Sequence, residues 1–104
     1  LIFNHVKNHF RETIALEEVS EIAHMTVPSF CRYFKKITNK TFTQFVNEYR
    51  IIHSQKLLAE QPMSVTEICF ESGFNNFSHF NKTFKEYTGK SPSDYRKEFS
   101  NIIY

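Results

Sequence analysis

The chain has 104 residues, a net charge of +2, 40% hydrophobic residues and twelve Phe, which fits one domain with a modest core. It has no run of about eighteen apolar residues and no secretory or lipidation signal, which argues against a membrane span and favours a cytoplasmic protein. Only two Gly and three Pro interrupt it, and strand-like alternation is weak, so an all-α fold is predicted.

Two helices are predicted before residue 25. Apolar residues at helical spacing predict a first helix over 2–11 and a short second helix over 16–24. Ala15 stands where a Ser or Thr would be the better N-cap of the second helix. Glutamates cluster over residues 12–21 without a Lys or Arg, whereas the next segment is basic.

A third helix is predicted over about 27–38. Thr26 opens it, and Pro28 is tolerated in its first turn. Its expected buried face consists of Phe30, Phe34 and Ile37. The short helix, the turn and the following helix together predict a helix-turn-helix unit within residues 1–40.

A long linker helix is predicted next, over 41–61. The residues "TFTQ" from Thr41 to Gln44 have the form of a capping box, and apolar residues continue at helical spacing to about Ala59. At about 1.5 Å per residue such a helix is about 28 Å long.

The last part of the chain, 62–104, predicts a second helix-turn-helix unit. "SVTE" from Ser64 is another capping box, and Gly73 is expected to end the short helix that follows. Asn75 or Asn76 then caps a helix over about 76–88, and "SPSD" from Ser91 opens a final helix. The whole chain is thus expected to contain about seven helices.

The two units are related by an internal repeat. "FCRYFKKITNKT" from Phe30 is followed fifty residues later by "FNKTFKEYTGKS" from Phe80. Upstream of the turn the better shift is forty-nine, so the second copy has one extra residue in its turn. We expect each Phe pair to anchor its helix in a small core of its own, with the residues between them exposed.

In a helix-turn-helix the second helix enters the DNA major groove, and its exposed side chains meet base edges. Two such helices on a rigid spacer of about 28 Å are compatible with successive major grooves, since one turn of B-DNA is about 34 Å. Because the repeat carries unlike exposed residues, the predicted DNA site is bipartite and asymmetric.

The chain resembles the DNA-binding domain of the AraC/XylS family of bacterial transcription regulators. The resemblance covers "LEEVSEIAHMTVPSFCRYFKKITNKTFTQF" in the first unit and, more specifically, "GF" at 73–74, "F-x-x-x-F-K" at 80–85 and "TGKSP-x-x-YR" at 88–96. It implies an activator or repressor that contacts RNA polymerase and carries a separate effector-binding, dimerisation or signal-receiving domain. The missing start Met at Leu1 agrees with that expectation.

The resemblance implies base contacts early in each recognition helix. The expected base-contacting residues are Pro28, Ser29, Cys31 and Arg32 in the first unit and Asn76, Phe77, Ser78, His79, Asn81 and Lys82 in the second. Arg32 has the donors to bind guanine O6 and N7, and Asn81 has the groups to pair with adenine. The expected phosphate contacts are Lys35, Lys36, Thr41, Lys85 and Ser91.

Some alternatives stay open at the level of sequence. Phe77 either meets a thymine methyl or folds against Phe74. A helical protein-interaction module that contacts the transcription machinery without reading DNA is the second candidate function. An enzyme is disfavoured, because the two Cys lie in no catalytic or metal-binding pattern and His5 and His9 lack a third ligand, so no cofactor or metal is expected.

Overall fold

The computed structural model describes residues 1–100, and these form seven α-helices and no strand, which confirms the all-α class. The helices are α1 (Ile2–His9), α2 (Leu16–Ile22), α3 (Val27–Thr38), α4 (Phe42–Glu60), α5 (Val65–Glu71), α6 (Phe77–Thr88) and α7 (Pro92–Phe99). The described helices divide between two compact units, Leu1–Tyr49 and a second that begins at Arg50, so the boundary falls inside α4.

The first unit has its own aromatic core. The Phe30 and Phe34 rings of α3 are buried, at 1% and 4% exposure, and both lie edge-on to Phe42 of α4. The remaining buried members of this cluster are Val6, Val19 and Val46. The first half of α4 therefore completes the core on which α3 rests.

The second unit repeats this arrangement with the second half of α4. Phe80 and Phe84 of α6 are fully buried, with ring centroids 5.7 Å apart, and Tyr95 of α7 lies edge-on to Phe84. The other buried members of this cluster are Ile51, Leu58, Ile68, Cys69 and Phe74. The prediction that the repeated Phe pairs are core residues is confirmed in both units.

The two helix-turn-helix turns end their first helices in the same way. In the second unit Gly73 has a φ of +100°, its N–H donates to the Phe70 carbonyl and the next N–H donates to the Cys69 carbonyl, which is a Schellman motif. In the first unit His24 takes the corresponding place with a φ of +58°. The second turn is one residue longer before its N-cap, as the change of shift in the repeat predicts.

Three predictions about the first unit are wrong, and the first of them is that α1 reaches residue 11, because it ends at His9. The helix expected over 16–24 ends at Ile22, because the left-handed backbone at His24 is incompatible with another helical turn. Ile37, expected in the buried face of α3, is 59% exposed. The apolar face of α3 that contains Phe30 and Phe34 is exposed to solvent at the last turn of the helix, because the core does not extend that far.

The predicted helix starts are confirmed by their hydrogen bonds. Thr41 Oγ1 accepts from Gln44 N at 3.1 Å, and Gln44 Oε1 accepts from Thr41 N at 2.9 Å. The same reciprocal pair joins Ser64 and Glu67 at the start of α5. These capping boxes fix where each helix begins and hence which residues of the chain face the core.

Ser72 carries a buried hydroxyl that has no hydrogen-bond partner within the described chain. It is the C-cap of α5, where the C-cap of α2 is Ala23. An unsatisfied buried hydroxyl costs about 1–3 kcal/mol, so we expect Ser72→Ala to leave the melting temperature unchanged or to raise it. Thermal unfolding followed by circular dichroism measures this effect.

Ser54 is the matched control for that substitution. Its hydroxyl is equally buried but donates to the Ile51 carbonyl at 2.7 Å. We expect Ser54→Ala to destabilise the protein by about 1 kcal/mol, since it removes a satisfied hydrogen bond. A melting temperature for Ser72→Ala as low as that of Ser54→Ala would show that the Ser72 hydroxyl has a partner.

Candidate nucleic-acid interface

The outer face of α3 is basic. Arg32, Lys35 and Lys36 are exposed on it, and Pro28 is exposed at its start, while Ser29 and Cys31 are half-buried. The helix contains no acidic residue. Lys35 and Lys36 also lie in its last turn, where the helix dipole favours positive charge. The first recognition helix therefore presents a continuous positive surface.

Hydrogen bonds at the start of α3 engage two of the expected base-contacting residues, Ser29 and Arg32. Thr26 Oγ1 caps the helix by accepting from Ser29 N at 3.3 Å. The Ser29 hydroxyl in turn accepts from Arg32 Nη2 at 3.5 Å. Ser29 therefore lies against the guanidinium of Arg32, which leaves the other guanidinium donors available to a ligand.

The outer face of α6 is polar rather than strongly basic. All six of its expected base-contacting residues are exposed: Asn76, Phe77, Ser78, His79, Asn81 and Lys82. Asn76 is the N-cap, and its Oδ1 accepts from His79 N at 2.8 Å. Its carbonyl oxygen is therefore occupied, and only its NH₂ group remains for a base. Asn81 does not cap the helix, so its oxygen and its NH₂ group suit a paired contact with adenine.

The turn before α6 is held by aromatic contacts around Phe74. The Phe74 ring is buried and lies 5.1 Å from the Phe80 ring and 5.6 Å from the His79 ring. The Arg50 guanidinium lies over Phe74 at 6.0 Å, and burial lowers the pKa of Arg50 from its usual value. The ring that contacts Phe77 belongs to Phe80, at 6.2 Å. Phe77 therefore packs against Phe80 and keeps 42% of its surface exposed.

Each recognition helix ends in the same corner. The Thr38 hydroxyl donates to the Phe34 carbonyl at 2.8 Å and accepts from Lys40 N at 3.2 Å. Thr88 makes the equivalent bonds in the second unit at the same distances. A left-handed residue lies inside each corner, with a φ of +64° at Asn39 and +79° at Gly89. The corner therefore turns the chain directly from the recognition helix into the N-terminus of α4 or α7.

These two N-termini are the expected phosphate sites at Thr41 and Ser91. Both hydroxyls already cap their helices, and Ser91 Oγ accepts from Asp94 N at 3.2 Å. The Thr41 N–H is taken by Gln44. The first-turn amides beyond the cap lack intrahelical partners in any α-helix. A phosphate would therefore bind these amides rather than the groups used in capping.

Two groups of lysines lie on the recognition helices or directly after them. Lys40 pairs with Glu48, and Lys90 pairs with Glu98, whose hydrogen bond and charge raise the pKa of Lys90. The exposed lysines on the outer faces of the recognition helices make no ion pair within the described part of the chain; these are Lys35, Lys36, Lys82 and Lys85. These four lysines of α3 and α6 are therefore available to a polyanion.

The residues suited to other chemistry are not assembled into a site. Burial raises the pKa of the Cys69 thiol, which disfavours the thiolate that a nucleophile requires. His5 stacks on His9 and contacts Glu18, but no group of three potential metal ligands occurs within residues 1–100. None of the described helices is long and apolar enough to cross a bilayer.

Sequence reasoning missed the part played by Arg96 in positioning α7. Its Nε donates to the Leu58 carbonyl at 3.2 Å and its Nη2 donates to the Gln61 carbonyl at 3.1 Å. The two carbonyls lie at the C-terminal end of α4, where the last carbonyl groups of a helix have no hydrogen-bond partner within it. The Arg96 side chain supplies donors to these acceptors. The sequence indicates that carbonyls at the end of α4 need donors, but it does not indicate which residue supplies them, because Arg96 lies more than thirty residues away.

The folded chain is a double helix-turn-helix domain, in which two small cores each carry one recognition helix with an exposed polar face. A family model described as a helix-turn-helix domain matches residues 19–98. A transcriptional regulator of Bacillus subtilis, YdeC, is 34% identical over 92% of this chain and 33% of its own length. The transcriptional activator RhaS of Salmonella newport is 32% identical over 94% of this chain and 35% of its own length.

Two solved structures share this double helix-turn-helix fold. The DNA-binding domain of AdpA, solved in complex with a target DNA, is 26% identical, with a TM-score of 0.87 over 94% of this chain and 88% of that one. The domain of the response regulator AraT from Geobacillus stearothermophilus shares the fold, with a TM-score of 0.87, 24% identity and coverage of 97% and 84%. The chain belongs to the AraC/XylS family of helix-turn-helix transcription regulators and is a DNA-binding domain of that type. It spans about a third of the length of the curated relatives described above.

Proposed function

We propose that this domain reads a specific bipartite site on double-stranded DNA, with α3 and α6 in successive major grooves. The observation that carries the proposal is that both helices, each of twelve residues, bury a Phe pair and leave their other face polar and exposed. A recognition helix requires that division, since it must be held rigidly from behind while its front meets base edges.

The two helices have different tasks in this proposal. Arg32 reads a guanine in one block, and Asn81 reads an adenine in the other. Contacts of the remaining exposed residues at the helix starts complete the readout, and Lys35, Lys36 and Lys85 hold phosphates. We expect the two blocks to be centred about one turn of DNA apart, which is the spacing of successive major grooves.

The role of the whole protein extends this proposal. Because the relatives are about three times longer than this chain, we propose that the domain works beside an effector-binding, dimerisation or signal-receiving domain. The complete protein would then act in the cytoplasm as a transcription regulator that contacts RNA polymerase, not as an enzyme. Linking two DNA-binding domains through such a companion raises the effective concentration of the second and strengthens binding.

A second candidate function is a protein-interaction module, and one feature of the first unit favours it. An apolar groove of about 220 Å³ lies between α1 and α3, and its lining includes Phe3, Tyr33 and Ile37, which are each more than half exposed. Such a module predicts no salt-dependent binding to duplex DNA. The DNA-binding proposal predicts strong dependence, since each neutralised phosphate releases counterions.

Lys35→Ala tests the proposal through this salt dependence. We expect the variant to bind all duplexes more weakly and to reduce the slope of log K against log salt by about one. Fluorescence anisotropy between about 50 and 200 mM salt measures both quantities.

Lys56→Ala is the matched control, because Lys56 is exposed on α4 outside the recognition helices and carries the same charge. It should leave the slope nearly unchanged. An equal effect of both substitutions, or a loss confined to one base pair, would contradict a phosphate contact at Lys35. Absence of duplex binding at the lowest salt would instead favour the protein-interaction module.

A further inference from the structure

Phe77 is an exposed aromatic residue at the start of a polar reading surface. It is the first residue of α6 and remains 42% exposed. The residues around it on the outer face are hydrophilic, among them Ser78, His79 and Asn81. A large apolar ring in this position loses contact with water only when an apolar group of a ligand covers it.

The Phe77 ring is held in place from behind. Its centroid lies 6.2 Å from that of Phe80, which is fully buried and fixed in the second core. Phe74, the other ring available in the turn, is contacted instead by His79, Phe80 and Arg50. One edge of Phe77 is therefore anchored while the remainder faces outward. An anchored side chain loses less conformational entropy when it meets a ligand than a mobile one does.

The DNA major groove offers one apolar group that matches this ring, the C5-methyl group of thymine. The other edges present there are hydrogen-bond donors or acceptors. A guanine or cytosine edge placed against Phe77 would lose hydrogen bonds to water without replacement, which disfavours those bases. The ring therefore both favours thymine and disfavours a G·C pair at the same position.

Asn81 lies one helical turn after Phe77, on the same side of α6. Their separation of four positions corresponds to a rise of about 6 Å, close to two base-pair steps of about 3.4 Å. Asn81 is exposed, and its amide is free of the capping role that occupies Asn76. The two side chains thus address base pairs about two steps apart within one block.

We infer that Phe77 is a specificity-determining residue that covers a thymine methyl group about two base pairs from an adenine bound by Asn81. This inference rests on the proposed function and adds the identity of one base to it. The block read by α6 accordingly contains a thymine, on either strand, whose methyl group contributes directly to affinity.

Deoxyuridine provides the test, because it differs from thymidine only by this methyl group. With a duplex selected by the intact protein, each thymine of the α6 block is replaced singly and the Kd is measured by fluorescence anisotropy at fixed salt. We expect one replacement to raise Kd about fourfold, the effect of exposing about one methyl group. Phe77→Ala should lose affinity for the thymine duplex and should no longer distinguish it from the uracil duplex.

Phe99→Ala is the control, since Phe99 is similarly exposed on α7, outside the recognition helix. It should keep the fourfold response to uracil. The inference is overturned if no thymine in the block responds in the wild-type protein, a result that does not depend on any variant folding. It is also overturned if Phe77→Ala responds to uracil as the wild type does. Failure to select any duplex would overturn the proposed function itself.

Discussion

Phe80→Ala is expected to lower the free energy of unfolding by about 3–5 kcal/mol, the usual cost of truncating a fully buried Phe. The Phe80 ring is fully buried and lies within about 6 Å of three other rings, those of Phe74, Phe77 and Phe84. Its removal leaves a cavity that the surrounding side chains fill only in part, so the lost contacts are not fully replaced. Such a loss is a large fraction of the stability of a small domain.

Urea denaturation followed by circular dichroism measures that loss. The matched control is Phe70→Ala, because Phe70 lies on α5 of the same unit but is 54% exposed, and surface substitutions usually change stability by about 0.5 kcal/mol or less. Phe30→Ala should reproduce the large effect in the first unit, since Phe30 holds the corresponding position in α3. Equal midpoints for Phe80→Ala and Phe70→Ala would contradict the existence of a separate core beneath α6.

Arg32→Ala is expected to weaken binding to the preferred duplex by about 1–3 kcal/mol and to remove the preference for guanine at one position. Arg32 is exposed on α3, one turn beyond the capped start of the helix, and its guanidinium is steadied by Ser29. A guanidinium donates two parallel hydrogen bonds to guanine O6 and N7, and no other exposed residue early in α3 has such a pair of donors.

Arg32→Lys separates base reading from simple charge. Lysine keeps the positive charge but lacks the planar pair of donors, so this variant should recover the salt-dependent part of binding without the full guanine preference. Kd values for duplexes that differ at each single base pair measure the preference. Equal weakening of every duplex by Arg32→Ala, fully restored by Arg32→Lys, would identify Arg32 as a phosphate ligand instead.

The helix starts and the Phe anchors were predictable because both depend on residues close together in the chain. The capping boxes at Thr41 and Ser64 require partners only three residues away. The four-residue spacing of Phe80 and Phe84 is enough to place both on one face of a helix. For the same reason, the sequence alone predicts which side of α3 and of α6 faces outward.

The errors occur where the outcome depends on distant residues. Ile37 continues the apolar stripe of α3, but its burial depends on whether another element covers the last turn. Arg96 bonds to carbonyls near residue 60, a contact that no local pattern encodes. The unsatisfied hydroxyl of Ser72 likewise follows from tertiary packing and not from its neighbours in the chain.

The candidate interface was predictable as a face but not in its hydrogen bonding. Asn76 and Asn81 are both exposed amides near the start of α6, and the sequence left open whether Asn75 or Asn76 caps that helix. The structure separates them, because capping occupies the Asn76 oxygen and leaves Asn81 available. Capping similarly occupies the Thr41 N–H and hydroxyl, which shifts the expected phosphate contact to the neighbouring amides.

Selection from a randomised pool of duplex DNA, with the intact chain as bait, tests the central claim most directly. The account predicts an enriched motif with two blocks of different sequence, one with a guanine and one with an adenine, centred about 10–10.5 base pairs apart. Enrichment of no motif, of one block alone or of two identical inverted blocks would contradict a single domain that reads DNA with two unlike recognition helices.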